Sequence, residues 1–255
     1  FKYYTGFGFT QKTGIDMLGE ARITSDLYHP EDGPNGLNPV ELAACSIGQT
    51  FKVTPIQMIT AMCAVANGGK LMQPYVVSQI LDSEGNVVKK TEPTVKRQVI
   101  SQSTSERVSA MMAASVNGGG SKNAYVPGYR VAGKTGTADK TEAGEDVWAS
   151  FSGFAPADDP KVAILVVLDE PQSTIRFGGT ISAPVAQKVL ADTLPYLGIE
   201  PKYTEEELAN MNSTERAMDM LIKSLKRTDD NDEFLMRTAK KAQHNNGNAN
   251  ANLEF

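Results

Sequence analysis

The alternation of apolar and polar positions changes character twice along the chain. Over the first forty or so residues Gly, Pro and Asp are frequent and apolar residues scattered, which predicts loops around short elements. From Thr54 the spacing turns helical. Thr54 has an N-cap side chain, Pro55 suits a first helical position, and Ile56, Ile59, Met62, Cys63 and Ala66 recur at helical intervals until Asn67-Gly68-Gly69. Residues 38–67 therefore read as helices packed behind a sheet, their Met and Ile stripe directed into the core. Residues 74–90 (PYVVSQILDSEGNVVKK) predict a β-hairpin about Glu84-Gly85-Asn86. Residues 101–117 predict a further helix with Val108, Met111, Met112 and Ser115 along one side, ended by Gly118-Gly119-Gly120.

After that the period shortens. Residues 129–138, 147–154 and 161–168 are β-rich runs separated by turn material such as PADDP at 156–160, and connections this short favour an antiparallel meander. Residues 182–197 form an amphipathic helical pattern that would cover one face of that sheet. Residues 204–243 carry a weaker helical pattern opened by a Thr204…Glu207 capping box. The last stretch, NNGNANANLEF, offers too little apolar surface to order itself and predicts a disordered tail. The fold class expected is α+β, an antiparallel sheet covered by helices.

Composition narrows the function only by exclusion. A chain of 255 residues can bury a full core, and a net charge of −5 with no basic cluster argues against a nucleic-acid partner. The longest apolar run, Val162 to Leu168, is too short to cross a bilayer. The start on Phe1, with nothing resembling a signal peptide, leads to the expectation of a fragment or processed piece. Cys45 and Cys63 lie in apolar helical stretches and read as small buried hydrophobes; neither has the partners of a metal site or a CxxC pair, and no cofactor is implied. His29 lies in a Pro- and Gly-rich loop and His244 in the Asn-rich end, so neither is set for a catalytic triad.

The chemistry concentrates in residues 128–140, GYRVAGKTGTADK. Gly128, Gly133, Lys134 and Thr135 fit the spacing of a phosphate-binding loop, and VAILVVLDE at 162–170 ends in Asp169-Glu170 as a Mg²⁺-binding strand does. A phosphate loop needs a buried strand before its first glycine and a helix beginning at its Lys-Thr. Here SKNAYVP precedes and GTADKTEAGED follows, neither of them suitable. The alternative is a strand carrying Lys134-Thr135-Gly136-Thr137 along a cleft. There Lys134 would offer a compact charge to a carboxylate, Thr135 and Thr137 would donate hydrogen bonds, and Gly136 would let a ligand backbone lie close.

Around this strand the sequence resembles the transpeptidase domain of penicillin-binding proteins. FGFTQKTGIDMLGEA, GLNPVELAACSIGQTFKVTPIQMITAMCAVANGG, YRVAGKTGTA, SFSGFAPADDPKVAILVVLDEP and GGTISAPVAQKVL occur in family order across most of residues 7–190. The similarity is specifically to the high-molecular-weight class B group. It implies the penicillin-binding/serine β-lactamase-like fold and an acyl-serine peptidoglycan D,D-transpeptidase that is also a β-lactam target. The family nucleophile sits in Ser-x-x-Lys, which this chain lacks; Thr137-Ala138-Asp139-Lys140 imitates the spacing but overlaps the binding strand. Ser121-Lys122-Asn123 matches a second family motif, Ser-x-Asn, in form, but lies too close to Lys134 and reads as coincidence.

The resemblance implies that residues 1–199 are the carboxy-terminal part of a transpeptidase domain, and that residues 200–255 are a helical extension and tail. Such a chain would be inactive alone. Lys134, Thr135, Gly136 and Thr137 would bind substrate, the backbone N–H of Thr137 completing half of an oxyanion hole. Its partners would be peptidoglycan stem peptides, β-lactams and the missing amino-terminal half of the same protein. The parent would be extracytoplasmic and reach the membrane only through an anchor outside this chain. Two alternatives stand beside this: a non-catalytic penicillin-recognising sensor or scaffold of the same fold and, more remotely, a P-loop ATPase.

Overall fold

The computed structural model describes residues 1–21, 38–140, 146–212 and 216, and the chain divides into two units, Phe1–Lys202 and Tyr203–Phe255. His29, His244, most of the 204–243 helical pattern and the Asn-rich end lie outside the described residues.

The first unit begins with a short helix α1 (Lys2–Gly6), then α2 (Pro39–Ser46) and α3 (Pro55–Ala66). Both longer helices start on complete capping boxes. Asn38 Oδ1 accepts the N–H groups of Val40 and Glu41 at 2.9 Å each, while the Glu41 carboxylate accepts the Asn38 N–H. In α3, Thr54 Oγ1 accepts the Gln57 N–H at 3.2 Å and Gln57 Oε1 accepts the Thr54 N–H at 2.9 Å. Each box is followed by proline in the first turn, where no hydrogen-bond donor is needed.

The buried face of α3 differs from the expected stripe. Gln57, Thr60, Ala61 and Ala64 are buried, and Ile56, Ile59, Met62, Cys63 and Ala66 are half-buried. Close approach to a neighbouring backbone selects small side chains, so the larger ones flank the contact. Gln57 is admitted because its amide nitrogen serves the carbonyls of Phe9 and Gln11 at 3.1 and 2.9 Å, leaving no polar group orphaned.

Two small antiparallel pairs follow. β1 (Lys70–Met72) pairs with β4 (Val95–Gln98), and between them β2 (Gln79–Leu81) and β3 (Val87–Lys90) form the expected hairpin, every strand residue of it exposed. Its turn is closed by Asp82, whose carboxylate accepts the N–H groups of Glu84 and Asn86 at 2.9 Å. α4 (Gln102–Val116) starts at Ser101, whose hydroxyl accepts the Thr104 N–H. Its buried stripe is Ser105, Ser109, Ala113 and Val116; of the expected side, Met111 is exposed and Val108, Met112 and Ser115 half-buried. Again small residues occupy the tightest contact, and Ser105 discharges its hydroxyl onto the Val65 carbonyl at 2.6 Å.

The main sheet is the expected meander: β5 (Ala132–Asp139), β6 (Val147–Ala155) and β7 (Val162–Asp169), in the order β5-β6-β7 and antiparallel throughout. α5 (Gly178–Ile181) and α6 (Ala183–Tyr196) follow. Strand alternation divides the sheet between two cores. One face contributes Val131, Phe151 and Ala155 to a cluster with Ala186, Leu190 and Leu194 of α6; the other contributes Ala132 and Phe154 to a cluster with Ala113 of α4 and Met62 of α3. Phe151 is fully buried, and its ring lies across the cross-strand pair Gly133–Gly153: a Cβ built on Gly133 would meet the ring at 2.2 Å and one on Gly153 at 3.0 Å. Gly133 is thus a seat for an aromatic ring rather than part of a phosphate nest.

The second unit holds α7 (Glu205–Asn210) among the described residues, opened by the expected Thr204–Glu207 capping box.

Candidate ligand-binding strand

β5 pairs with β6 along one edge only among the described residues, and Lys134, Thr135, Gly136 and Thr137 lie in its middle. The register sets Lys134 opposite Ser152, Thr135 opposite Phe151, Gly136 opposite Ser150 and Thr137 opposite Ala149. In an extended strand, N–H and C=O groups point alternately to either side. The Ala157 N–H donates to Arg130 O and the Lys140 N–H to Asp146 O, so even-numbered residues of this segment address β6. Thr135 and Thr137 accordingly direct their backbone groups off the open edge.

Side-chain directions alternate as well. Lys134 and Gly136 belong to the face shared with α3 and α4, Thr135 and Thr137 to the face on which α5 and α6 lie. The four predicted residues therefore share an edge rather than a face, and a ligand running along that edge meets all of them. Lys134 is exposed, and its ammonium donates to Thr135 O at 2.7 Å. Gln49 Nε2, from the loop between α2 and α3, donates to Thr137 O at 3.3 Å. Thr137 Oγ1 accepts the Gly178 N–H at 3.1 Å, which ties the start of α5 to the strand. That approach is close: a Cβ on Gly178 would lie 2.3 Å from both Gly136 O and Ser150 O.

The floor on the Lys134 face is polar. A Cβ on Gly136 would meet Ser150 Oγ at 2.6 Å, and the buried Ser152 Oγ has no hydrogen-bond partner among the described residues. At the far end of β5, Lys140 forms ion pairs with Asp169 at 2.8 Å and with Glu170, and its ammonium lies 4.8 Å from the centre of the Trp148 ring. Hydrogen bonds to Asp169 and then Glu170 push the Lys140 amine above the usual lysine range. Trp148 is half-buried there, under the lysine that follows β5.

The remaining candidates are structural. Ser121 is buried and shares a hydrogen bond with Ser115, and Asn123 Nδ2 donates to Gly179 O at 2.7 Å, so the Ser121–Asn123 segment buttresses α5. Cys45 is buried and Cys63 half-buried, both free thiols; burial pushes the Cys63 thiol up. Among the described residues no three His, Cys, Asp or Glu side chains are grouped to hold a metal, and no helix is long and apolar enough to cross a membrane. The phosphate-loop reading fails on backbone conformation, because β5 continues as strand through Asp139 and no helix starts at Lys134. Sequence reasoning did not identify Gln49, Gly178 or Ser152. Each was marked only as part of a longer family-like stretch, Gln49 in GLNPVELAACSIGQTFKVTPIQMITAMCAVANGG, Ser152 in SFSGFAPADDPKVAILVVLDEP and Gly178 in GGTISAPVAQKVL, with no role of its own.

Residues 1–191 match the sequence model of the penicillin binding protein transpeptidase domain. The chain belongs to this family. Stage V sporulation protein D of Bacillus subtilis is 44% identical over 212 residues, an alignment covering 81% of this chain and 32% of that protein. Peptidoglycan D,D-transpeptidase FtsI of Escherichia coli is 31% identical over 205 residues, covering 78% of this chain and 32% of that protein. Among solved structures, penicillin-binding protein 3 of Mycobacterium tuberculosis in complex with ampicillin superposes with a TM-score of 0.68 at 28% identity, covering 80% of this chain and 46% of that one. The chain thus spans about a third of the length of these curated relatives. Its α+β fold is that of penicillin-binding transpeptidase domains.

Proposed function

We propose that this chain supplies the substrate-binding strand of a peptidoglycan D,D-transpeptidase whose serine nucleophile is carried by another part of the parent protein. The observation that carries this reading is the open edge of β5, where Lys134, Thr135, Gly136 and Thr137 stand in succession and Thr135 and Thr137 direct their backbone groups outward. An extended peptide can add to such an edge as a further strand. Lys134 draws the terminal carboxylate of a stem peptide, or the carboxylate of a β-lactam, and the threonine hydroxyls donate to it. Gly136 leaves the ligand backbone room, and the outward N–H of Thr137 supplies one of two donors to the oxyanion of the tetrahedral intermediate. Serine attack forms an acyl ester and expels the terminal amino acid; the amine of a second stem peptide then displaces the serine and makes the cross-link. With a β-lactam the ring amide opens and no fragment leaves.

The sequence contains no Ser-x-x-Lys, so the nucleophile must come from outside these residues and the chain alone is inactive. Residues 1–199 are assigned to the transpeptidase domain and 200–255 to an extension outside it. The parent works on the outer side of the cytoplasmic membrane, where its substrate lies. Fluorescent-penicillin labelling of the full-length parent tests the reading. The wild type is expected to label on a serine outside this chain, and Lys134→Ala to label at least about tenfold more slowly, as loss of a charge-assisted contact implies. A Lys134→Ala variant that labels at the wild-type rate would overturn the assignment of the strand.

A further inference from the structure

The open edge of β5 is already occupied by side chains of the protein itself. Of its outward carbonyls, Thr135 O accepts from the Lys134 ammonium and Thr137 O accepts from the Gln49 amide. These are acceptors that an added strand would need. Lys134 has a second role at the edge, since a carboxylate ligand draws it away. Gln49 has none: it is half-buried, uncharged and 88 residues from the carbonyl it caps.

The loop that presents Gln49 is held in an uncommon conformation. Gly48 has φ +87° and Thr50 has φ +64°, so Gln49 lies between two residues in the left-handed region. Glycine takes that conformation freely, but a β-branched threonine does so at a cost. Local contacts hold the turn: the Gln49 N–H donates to Ala44 O at 3.0 Å, and Thr50 Oγ1 donates to Gln49 O at 2.7 Å and lies 3.2 Å from Cys45 Sγ. Strained backbone of this kind persists where its surroundings over-determine it, and its outcome here is to aim one amide at the binding edge.

We propose that Gln49 is a placeholder for the substrate backbone: it satisfies Thr137 O when the site is empty and is displaced when a ligand amide N–H pairs with that carbonyl. Gln49 is therefore a positioning residue that governs preference among ligands. Those that bring an N–H to Thr137 O must compete with it, and those that bring none leave it in place. The proposal rests on β5 being the binding strand.

The test is the acylation rate of the full-length parent by two β-lactams, one with an acylamino side chain and one, a carbapenem, with a hydroxyethyl group instead. Gln49→Met keeps the length of the side chain and removes its donor; Gln49→Ala removes both. Removing one competing neutral hydrogen bond is expected to speed acylation by the acylamino compound about 2- to 10-fold in both variants. Acylation by the carbapenem should stay within twofold of the wild type. Slower acylation by both compounds, equal acceleration of both, or no change in either would overturn the placeholder role. So would a loss of thermal stability in both variants without the split between ligands, which is the signature of a purely structural tether. A wild-type parent that neither compound acylates would instead sink the assignment of β5, and the proposal with it.

Discussion

The approach of α5 to the sheet is the feature most exposed to a single methyl group. Gly178 has ordinary backbone angles, so its substitution by alanine tests space alone. The new Cβ would sit 2.3 Å from Gly136 O, 2.3 Å from Ser150 O and 2.9 Å from Ser150 N. All three are backbone atoms of paired strands, so no side chain can swing aside, and the helix start must lift away from β5. Overpacking of this kind costs about 1–3 kcal/mol, and rigid neighbours place Gly178→Ala towards the top of that range. Replacing glycine in a helix returns up to about 1 kcal/mol, leaving a net loss of roughly 2 kcal/mol. Gly179→Ala is the internal control: its Cβ would meet Gly120 O at 3.0 Å and Thr135 Cγ2 at 3.6 Å, a contact that small shifts relieve. The difference between the two variants should appear as a melting temperature a few degrees lower for Gly178→Ala in the full-length protein. Because the Gly178 N–H donates to Thr137 Oγ1, the same variant should also acylate with penicillin more slowly than the control. Two variants that melt within a degree of each other would refute the reasoning from close packing.

Two further outcomes follow from single polar groups. Ser152→Ala removes a buried hydroxyl that has no partner among the described residues, so unfolding in urea should show it as stable as the wild type or up to about 1 kcal/mol more stable; a clear loss would mean that the hydroxyl is paired in the folded protein. The Asp16 carboxylate accepts the N–H groups of Val76 and Val77 at 2.7 and 3.0 Å, and these bonds hold it below the usual carboxylate range. The folded state therefore binds its proton less readily than the unfolded chain, and the stabilisation is present above the ordinary carboxylate pKa and lost as pH falls through the lowered one. Amide exchange at Val76 and Val77, corrected for intrinsic rates, should accelerate below about pH 4 in the wild type and be pH-independent in Asp16→Asn.

What could be read in the sequence was what local chemistry determines. Thr54 and Pro55 mark a helix start because an N-cap and a first helical position are adjacent in sequence. The β5-β6-β7 meander is legible because short connections leave neighbouring strands few alternatives to antiparallel pairing. Lys134 through Thr137 were legible as a strand because their flanks fit no helix. The faces of α3 and α4 were not, since hydropathy points to the largest apolar side chains whereas tight packing buried Thr60, Ala61, Ser105 and Ser109. β1 and β4 were missed because runs of three and four residues, paired across more than twenty others with a register shift, show no alternation to detect. Gln49 was legible only as one letter of a family-like stretch, and its contact was not legible at all: its partner is a backbone carbonyl, and a carbonyl leaves no letter in the sequence.

The Gln49 contact has a bearing on how the protein reaches its folded state. The meander joins neighbours in sequence, so its loops close at little entropic cost and it is expected to assemble early in refolding. The tether from Gln49 spans 88 residues and belongs to a later stage, when the α2–α3 segment docks. In the interval the outer edge of β5 is an unpaired strand, the kind of surface at which two half-folded copies associate. The edge suited to receiving a peptide is thus the edge most open to receiving the wrong chain. Excess misassembly during refolding, suppressed by a short peptide or a β-lactam, is the behaviour expected if the strand proposed to bind substrate lies at the margin of an early-forming sheet.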